Sequence, residues 1–275
     1  MTGNASLGVS IVLYNTCYQE IEGLVRSLHN QGAACIYIID NSPLEFDLYD
    51  GQQPPPYIIT IRTGINLGYG RAHNIALRDS MAKHAYHIVC NPDILVPPST
   101  IEKLLLFMDE NPAVGQMMPK IYYPNNDLQY LCKLIPTPLD LLLKRFLPER
   151  LRAQCMERFE LKFTGYNEVM DVPYLSGCFM LFRTSALKEI GLFDERYFMY
   201  PEDIDLTRRM HQKHRTIFYP DAFIVHAHAA NSYESLYMLC IHIFNLIKYF
   251  NKWGWIFDED RKNINRKILN QLNYR

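Results

Sequence analysis

Val9-Ser10-Ile11-Val12-Leu13-Tyr14-Asn15 is a β-rich apolar run that stops on a polar pair, and the pattern around it decides the fold. Thr16-Cys17-Tyr18-Gln19 fits a capping box. Ile21, Leu24, Val25 and Leu28 then recur at helical spacing, and Gly32 ends the helix. Ile36-Tyr37-Ile38-Ile39 is the next buried strand and stops at Asp40-Asn41-Ser42. After the proline-rich turn Gln52 to Pro56, Tyr57 to Ile61 reads as a third strand. Gly68 to Lys83 is a loop turning into a helix, and Tyr86 to Cys90 is a fourth strand ending at Asn91-Pro92-Asp93. Ser99-Thr100-Ile101-Glu102 is a second capping box, opening a helix with Ile101, Leu104, Leu105 and Met108 inward. Such alternation implies an α/β domain with a mostly parallel sheet and helices on both faces. Ligands on such sheets bind beyond the carboxyl ends of the strands. Tyr14-Asn15, Asp40-Asn41 and Asn91-Pro92-Asp93 therefore line one rim.

From about Tyr122 to Asp171 the pattern is irregular, with Pro124, Pro136, Pro138, Pro148 and a basic stretch from Lys144 to Arg152. It reads as an insertion or flexible region facing a bound acceptor, or equally as a solvated helical excursion with no contact role. Order returns at Val172 to Phe182, Thr184 caps a helix through Ile190, and Gly191-Leu192-Phe193-Asp194 is a turn. Pro201-Glu202-Asp203 opens a helix to about His214, and Ile217 to His226 is strand-like. Ser232 to Tyr249 is an aromatic-rich helix, followed by Trp253-Gly254-Trp255 and a charged helix.

A chain of 275 residues suits one large α/β domain with a helical tail. A net charge of -1 supplies no basic field for nucleic acid. Seven cysteines, an odd number without a C-x-x-C pair, argue for reduced thiols and against a disulfide scaffold or zinc site. Met1 to Leu7 lacks the basic and apolar regions of a signal peptide. Leu236 to Ile247 falls short of the ~20 apolar residues that span a bilayer, and His242 and Asn245 interrupt it. A cytoplasmic protein is expected.

Four clusters could carry chemistry. Asp93, a carboxylate just after a buried strand, could hold magnesium or manganese together with ligand phosphates, since such ions rarely get an all-protein cage. Asn91 could bond a ribose hydroxyl. The plainer reading of Asp93 is a turn residue. Glu202-Asp203-x-Asp205 complements a helix N-terminus. It could equally provide a base for a hydroxyl proton, made more basic by the apolar wall Phe198-Met199-Tyr200. Arg209 lies four residues beyond Asp205, so the two can pair. Asn66-Leu67-Gly68-Tyr69-Gly70-Arg71-Ala72-His73-Asn74 permits close backbone approach at a helix start. It is neither G-x-G-x-x-G nor a P-loop, which disfavours dinucleotide oxidoreductases and P-loop enzymes. His226-Ala227-His228 offers one strand-end imidazole to the rim, because i and i+2 side chains point to opposite faces.

Taken together, these residues resemble the family 2 inverting glycosyltransferases, especially the rhamnosyltransferase-like members that build bacterial surface polysaccharides. The matching stretches are Ser10 to Asn15, Asp40-Asn41-Ser42, Asn66 to Gly70 with Asn74, and Asn91-Pro92-Asp93. Leu175-Ser176-Gly177-Cys178-Phe179-Met180, Gly191 to Glu195, Phe198 to Leu206, and His226 with Ser232 continue in the family's order. The resemblance implies a GT-A-type, Rossmann-like mixed sheet flanked by helices, with a C-terminal helical tail. Residues 1–232 would form the glycosyltransferase domain, with a nucleotide-sugar half to about 120 and an acceptor half from about 121, and residues 233–275 the tail. Tyr14, Asn15, Asp40, Asn41, Asn66, Gly68, Asn74 and Asn91 would surround the donor, and Asp93 with His226 would hold a divalent metal (Mg2+ or Mn2+). Asp203, or else Glu202, would be the general base. Asn91 stands where the family often has a first acid, which tilts the donor towards dTDP-rhamnose. The resemblance thus implies a transferase that moves a sugar from a nucleotide-diphosphate donor to a glycan or lipid-linked glycan. A UDP-hexose donor and a non-catalytic glycan- or nucleotide-binding module are the alternatives. Leu236, Tyr237, Cys240, Phe244 and Ile247 form an apolar stripe. It could lie on the inner face of the plasma membrane, dock on the protein's own core, or mediate a homo-oligomer.

Overall fold

The computed structural model describes residues 6–43, 48–141, 148–227 and 236–274. Its first half follows the expected alternation: β1 (Leu7–Leu13), α1 (Tyr18–Asn30), β2 (Ala33–Asp40), β3 (Ile58–Arg62), α2 (Tyr69–Lys83) and β4 (Tyr86–Cys90). The four strands pair in parallel in the order β3-β2-β1-β4. Helices cover both faces, so β1 and β4 are apolar and buried along nearly their whole length. The α1 stripe Ile21, Leu24, Val25 and Leu28 is buried against one face. Registers Leu13↔Asp40 and Ile11↔Cys90 bring the carboxyl ends of β1, β2 and β4 to a common edge.

The second half changes direction. β5 (Ile94–Leu95), α3 (Thr100–Glu110) and β6 (Val114–Tyr122) precede a small sheet of β7 (Cys132–Lys133) and β9 (Tyr174–Leu175). Between them lie α4 (Glu149–Phe159) and β8 (Met170–Asp171). β10 (Phe179–Arg183), α5 (Thr184–Ile190), α6 (Glu202–His211) and β11 (Arg215–His226) complete the domain. The main sheet runs β3-β2-β1-β4-β10-β6-β11-β5, with β8 on β11. β10 lies antiparallel to both β4 and β6, so the sheet is mixed, where the strand–helix alternation alone implied a mostly parallel one. Because β10 enters where β4 ends (Phe179↔Cys90), the residues just before it join the rim. β6 and β11 run parallel to each other and with β4, so His226 ends at that same edge.

β6 is absent from the sequence reading because Gly115, Gln116 and Pro119 break its apolar run. Pro119 is accommodated next to an irregularity, where the pairing with β11 jumps from Tyr219 to Phe223. Three caps also differ. The first box is formed by Cys17 and Glu20, while Thr16 Oγ1 bonds the Tyr14 carbonyl. Ser99 is left-handed with φ 62 and makes no side-chain cap; Gln31 Oε1 accepts the Ile101 N–H instead. Thr184 turns its hydroxyl to the His84 and Ala85 carbonyls.

The tail helices α7 (Leu236–Trp253) and α8 (Glu259–Gln271) dock on the domain itself. Tyr249 and Phe250 bury against Tyr197 and Ile204. Arg208 and Asp258 form an ion pair at 2.6 Å with side chains 1% and 3% exposed, and the Arg208 guanidinium lies 4.0 Å from the Trp253 ring. Of the expected stripe, Phe244 is 61% and Ile247 40% exposed, and Ile256 and Phe257 beyond α7 reach 78% and 90%. Among the described residues no helix is long and apolar enough to cross a membrane. Lys144, Arg145, His228 and Ser232 fall outside the described residues.

Candidate active site

The rim is assembled by main-chain bonds between strand ends. Asn91 N–H donates to the Cys178 carbonyl at 2.9 Å, and Ala227 N–H to the Asp93 carbonyl at 2.9 Å. β5 pairs antiparallel with the end of β11 (His226↔Ile94), which sets Asp93 beside His226. The two side chains meet at 3.3 Å, Nε2 to Oδ1. Burial disfavours charge on the imidazole, but the Asp93 carboxylate and the Cys178 thiol outweigh it and raise its pKa to about 10.

This pair fits a divalent cation. Two neighbouring ligands of an octahedral ion with bonds of about 2.1 Å stand roughly 3 Å apart, close to the observed 3.3 Å. Among the described residues no group of three His, Cys, Asp or Glu side chains is placed to hold a metal ion, so the remaining positions would fall to phosphate oxygens and water.

Asp203 lies in the first turn of α6. Its Oδ2 accepts the Gly177 N–H at 3.0 Å, and its Oδ1 the Ile204 N–H at 2.8 Å. Cys178, the residue after Gly177, touches His226. One peptide link therefore bridges the contacts of Asp203 and those of the Asp93–His226 pair. Burial raises the Asp203 pKa, against those two N–H bonds and the nearby Lys133 charge. Glu202 is more deeply buried, at 5% exposure, and its Oε2 finds no hydrogen-bond partner among the described residues. Burial and then the Asp203 charge push its pKa up to about 8. Asp203 is thus the better-solvated acid, and hydrogen bonds favour its anion.

Asp205 turns away from the rim. It is fully buried and holds Arg209 at 2.8 Å, the Trp253 indole N–H at 2.8 Å and Lys252 at 2.6 Å. It therefore ties α6 to the tail.

The other expected residues lie along the β1 and β2 ends. Tyr14 is 51% exposed, and Asn15, with φ 52, donates its N–H to Ser42 Oγ. Asp40 is buried and accepts the Ser42 N–H at 3.0 Å. Asn41 donates to the Gly68 carbonyl at 3.0 Å, while Asn66 Oδ1 accepts the Gly68 N–H at 3.0 Å. Gly68 has φ +81, and a Cβ there would stand 1.9 Å from the Phe198 carbonyl oxygen. The next N–H, from Tyr69, donates to that same oxygen at 3.0 Å, tying α2 to the segment before Glu202. Asn74 reaches the other way, bonding the Phe193 backbone and Glu195, and so clamps α2 to the 191–195 turn.

Local sequence pattern points to no role for Gly177, Cys178, Lys133 or Gln129. Gly177 and Cys178 stand inside a motif of the family, but a backbone donor carries no side-chain signal. Gln129 and Lys133 lie in the irregular stretch, where no periodicity points to them.

The family described as Glycosyl transferase family 2 matches residues 9–191. The N-acetylglucosaminyl-diphospho-decaprenol L-rhamnosyltransferases of Mycobacterium tuberculosis strains CDC 1551 / Oshkosh and ATCC 25618 / H37Rv are each 32% identical over 222 residues, covering 75% of this chain and 70% of theirs. GalNAc-T7, solved with UDP, GalNAc and Mn2+, has a similar fold: TM-score 0.56 at 14% identity, covering 81% of this chain. The mannosyltransferase PcManGT from Pyrobaculum calidifontis, in complex with GDP-Man and Mn2+, gives a TM-score of 0.54 at 17% identity over 82% of this chain. The chain spans 44% and 58% of those two proteins. At these identities the likeness is one of fold, the GT-A architecture.

Proposed function

The chain belongs to glycosyl transferase family 2, and from that premise we propose that it moves rhamnose from dTDP-rhamnose to a hydroxyl of a lipid-diphosphate-linked glycan, inverting the anomeric centre. The observation that carries the reading is the shared rim: Asp203 and the Asp93–His226 pair are joined through Gly177-Cys178. The acceptor hydroxyl attacks the anomeric carbon, Asp203 takes its proton, and the bond to the diphosphate oxygen breaks with its electron pair on the departing nucleotide. A divalent cation held by Asp93 and His226 would neutralise charge on that leaving group. Tyr14, Asn15, Asp40, Asn41, Asn66 and Gly68 would line the base and ribose, Asn91 a ribose hydroxyl, and Asn74 the support behind them. The donor assignment is supported by Asn91-Pro92-Asp93 and by the name of the mycobacterial relative, whose acceptor is a lipid diphosphate.

The same reading assigns residues 1–232 to the transferase, with a donor half to about 120, and residues 233–275 to a tail packed on it. It places the enzyme in the cytoplasm, where its seven free thiols would persist, with the tail at the membrane surface. Phe244 and Ile247 on α7 and the protruding Trp255-Ile256-Phe257 support that placement. α7 also touches the segment before the base, since Asn245 Nδ2 donates to the Met199 carbonyl at 2.8 Å.

The test incubates the protein with Mn2+, a lipid-diphosphate-linked N-acetylglucosamine and one donor at a time: dTDP-rhamnose, UDP-glucose, UDP-galactose or UDP-N-acetylglucosamine. Product from dTDP-rhamnose with inverted anomeric configuration is expected. Turnover of a UDP-hexose alone would replace the donor assignment, and binding of nucleotide without turnover of any donor would leave a non-catalytic module.

A further inference from the structure

We infer that Gln129 is a positioning residue that orients the His226 imidazole and assigns its Nδ1 the proton, so that Nε2 is the nitrogen presented to the Asp93 side. The inference rests on the reading of Asp93 and His226 as cation ligands for its consequence, but not for its geometry.

Gln129 arrives there by a tight turn. Tyr123-Pro124-Asn125-Asn126-Asp127 folds the chain back on the end of β6, with Asn126 at φ 67 and the Asp127 carbonyl accepting the Tyr123 N–H at 2.8 Å. Tyr122 bridges Leu128, and Gln129 N–H donates to the Ile121 carbonyl at 2.9 Å. Because β11 pairs with β6 through Val225↔Tyr122, the returning strand lays Gln129 over the last residue of β11. The residue is 4% exposed.

Its amide grips His226 at two points. Nε2 donates to the His226 carbonyl at 2.8 Å and approaches the Tyr122 carbonyl at 3.4 Å, while Oε1 lies 3.1 Å from His226 Nδ1. Backbone carbonyls only accept, so the end facing them must be the NH2 group. The oxygen is then left for Nδ1, and an amide oxygen also only accepts, so Nδ1 must carry a proton. Both amide ends are therefore assigned by their partners. Nε2 faces Asp93 at 3.3 Å and the Asn91 amide at 3.4 Å. A glutamine that merely filled space would not need to hold the ring and the carbonyl of one residue together. Metal-binding histidines commonly donate their second ring N–H to such an acceptor, and loss of that partner typically weakens metal binding 10–100-fold.

The test uses the full chain with 15N-labelled histidine, plus Gln129→Leu, Gln129→Glu and His226→Ala. The metal-free wild type is expected to show a slowly exchanging Nδ1–H resonance, assigned to His226 by its loss in His226→Ala and told from Nε2–H by its couplings to the ring carbons. Gln129→Leu should lose it. Gln129→Glu keeps an acceptor for Nδ1–H and, in the protonated form that burial favours, a donor for the His226 carbonyl; it should retain the resonance, which separates the effect from general damage and keeps the test open should the leucine variant fail to fold. With Mn2+ and dTDP, pulsed electron paramagnetic resonance should show nitrogen coupling in the wild type, and Gln129→Leu should bind Mn2+ about 10–100-fold more weakly. A His226 Nδ1–H resonance that survives in Gln129→Leu, or is lost in a folded Gln129→Glu, overturns the inference. If the resonance behaves as expected but His226→Ala binds Mn2+ as tightly as the wild type, the cation reading fails while the orienting role stands.

Discussion

The backbone N–H of Gly177 donates to Asp203 Oδ2 at 3.0 Å, and a Cβ built on Gly177 would stand 3.2 Å from the Asp203 Cβ. The carboxylate at the start of α6 is thus aimed by the residue that leads into β10, on the neighbouring rim. Cys178, one residue on, meets His226. The same short segment therefore touches both the acid proposed as base and the pair proposed as cation ligands.

Replacing Asp203 by Asn keeps the size of the side chain and removes its ability to take a proton. Transfer should fall about 10²–10⁴-fold, with donor binding by calorimetry nearly unchanged. Glu202→Gln should cost far less, because burial already favours its protonated form. The reverse ranking would exchange the two roles.

The pH profile should carry the signature of this buried pair. Burial holds both Glu202 and Asp203 above the ordinary carboxylate range, and the Asp203 charge raises Glu202 further. A base must be ionised, so kcat/KM should fall as pH is lowered through the elevated range, well before pH 4. An acid limb at the ordinary carboxylate value would sink the assignment.

Asp93→Ala removes one of the two side chains that face each other at 3.3 Å. Titration with Mn2+ and dTDP should show metal-enhanced nucleotide binding in the wild type and little in the variant. Chelation of the wild type with EDTA should reproduce the variant. Nucleotide binding indifferent to both changes would argue against a cation at this site.

Gly68→Ala should damage both stability and transfer. Its φ of +81 costs a side chain roughly 1–3 kcal/mol, and the Cβ would stand 1.9 Å from the Phe198 carbonyl oxygen. Gly23, inside α1 with no atom of the described residues within 4 Å of an added Cβ, is the control. There alanine should be neutral or stabilise by up to about 1 kcal/mol in chemical denaturation.

The tail should prove integral to the domain. Asp258→Ala strands the buried Arg208 guanidinium and removes the cap on the Arg261 N–H. A loss of about 3–5 kcal/mol of stability is expected. Denaturation that leaves the domain transition unmoved would make the tail an independent appendage.

Much of this molecule was legible residue by residue. The four parallel strands, the helices between them and the polar strand ends at 14–15, 40–41 and 91–93 follow from apolar runs, 3.6-residue spacing and turn chemistry, all of which act over a few neighbours. β6 escaped because its burial comes from β10 and β11, which tolerate Gly115, Gln116 and Pro119 in a strand. The caps shifted for a similar reason: the group nearest the Ile101 N–H is Gln31, 70 positions away in the chain.

By itself, then, the sequence determined an α/β chain with acids and amides waiting at strand ends and at the start of one helix. Tertiary structure decided that these ends meet. The antiparallel insertion of β10 carries Gly177 and Cys178 to the rim, and the pairing of β6 with β11 carries Gln129 to a histidine 97 residues away. Strand direction and partner choice depend on which faces bury together across the whole sheet, and no local window of residues contains that information.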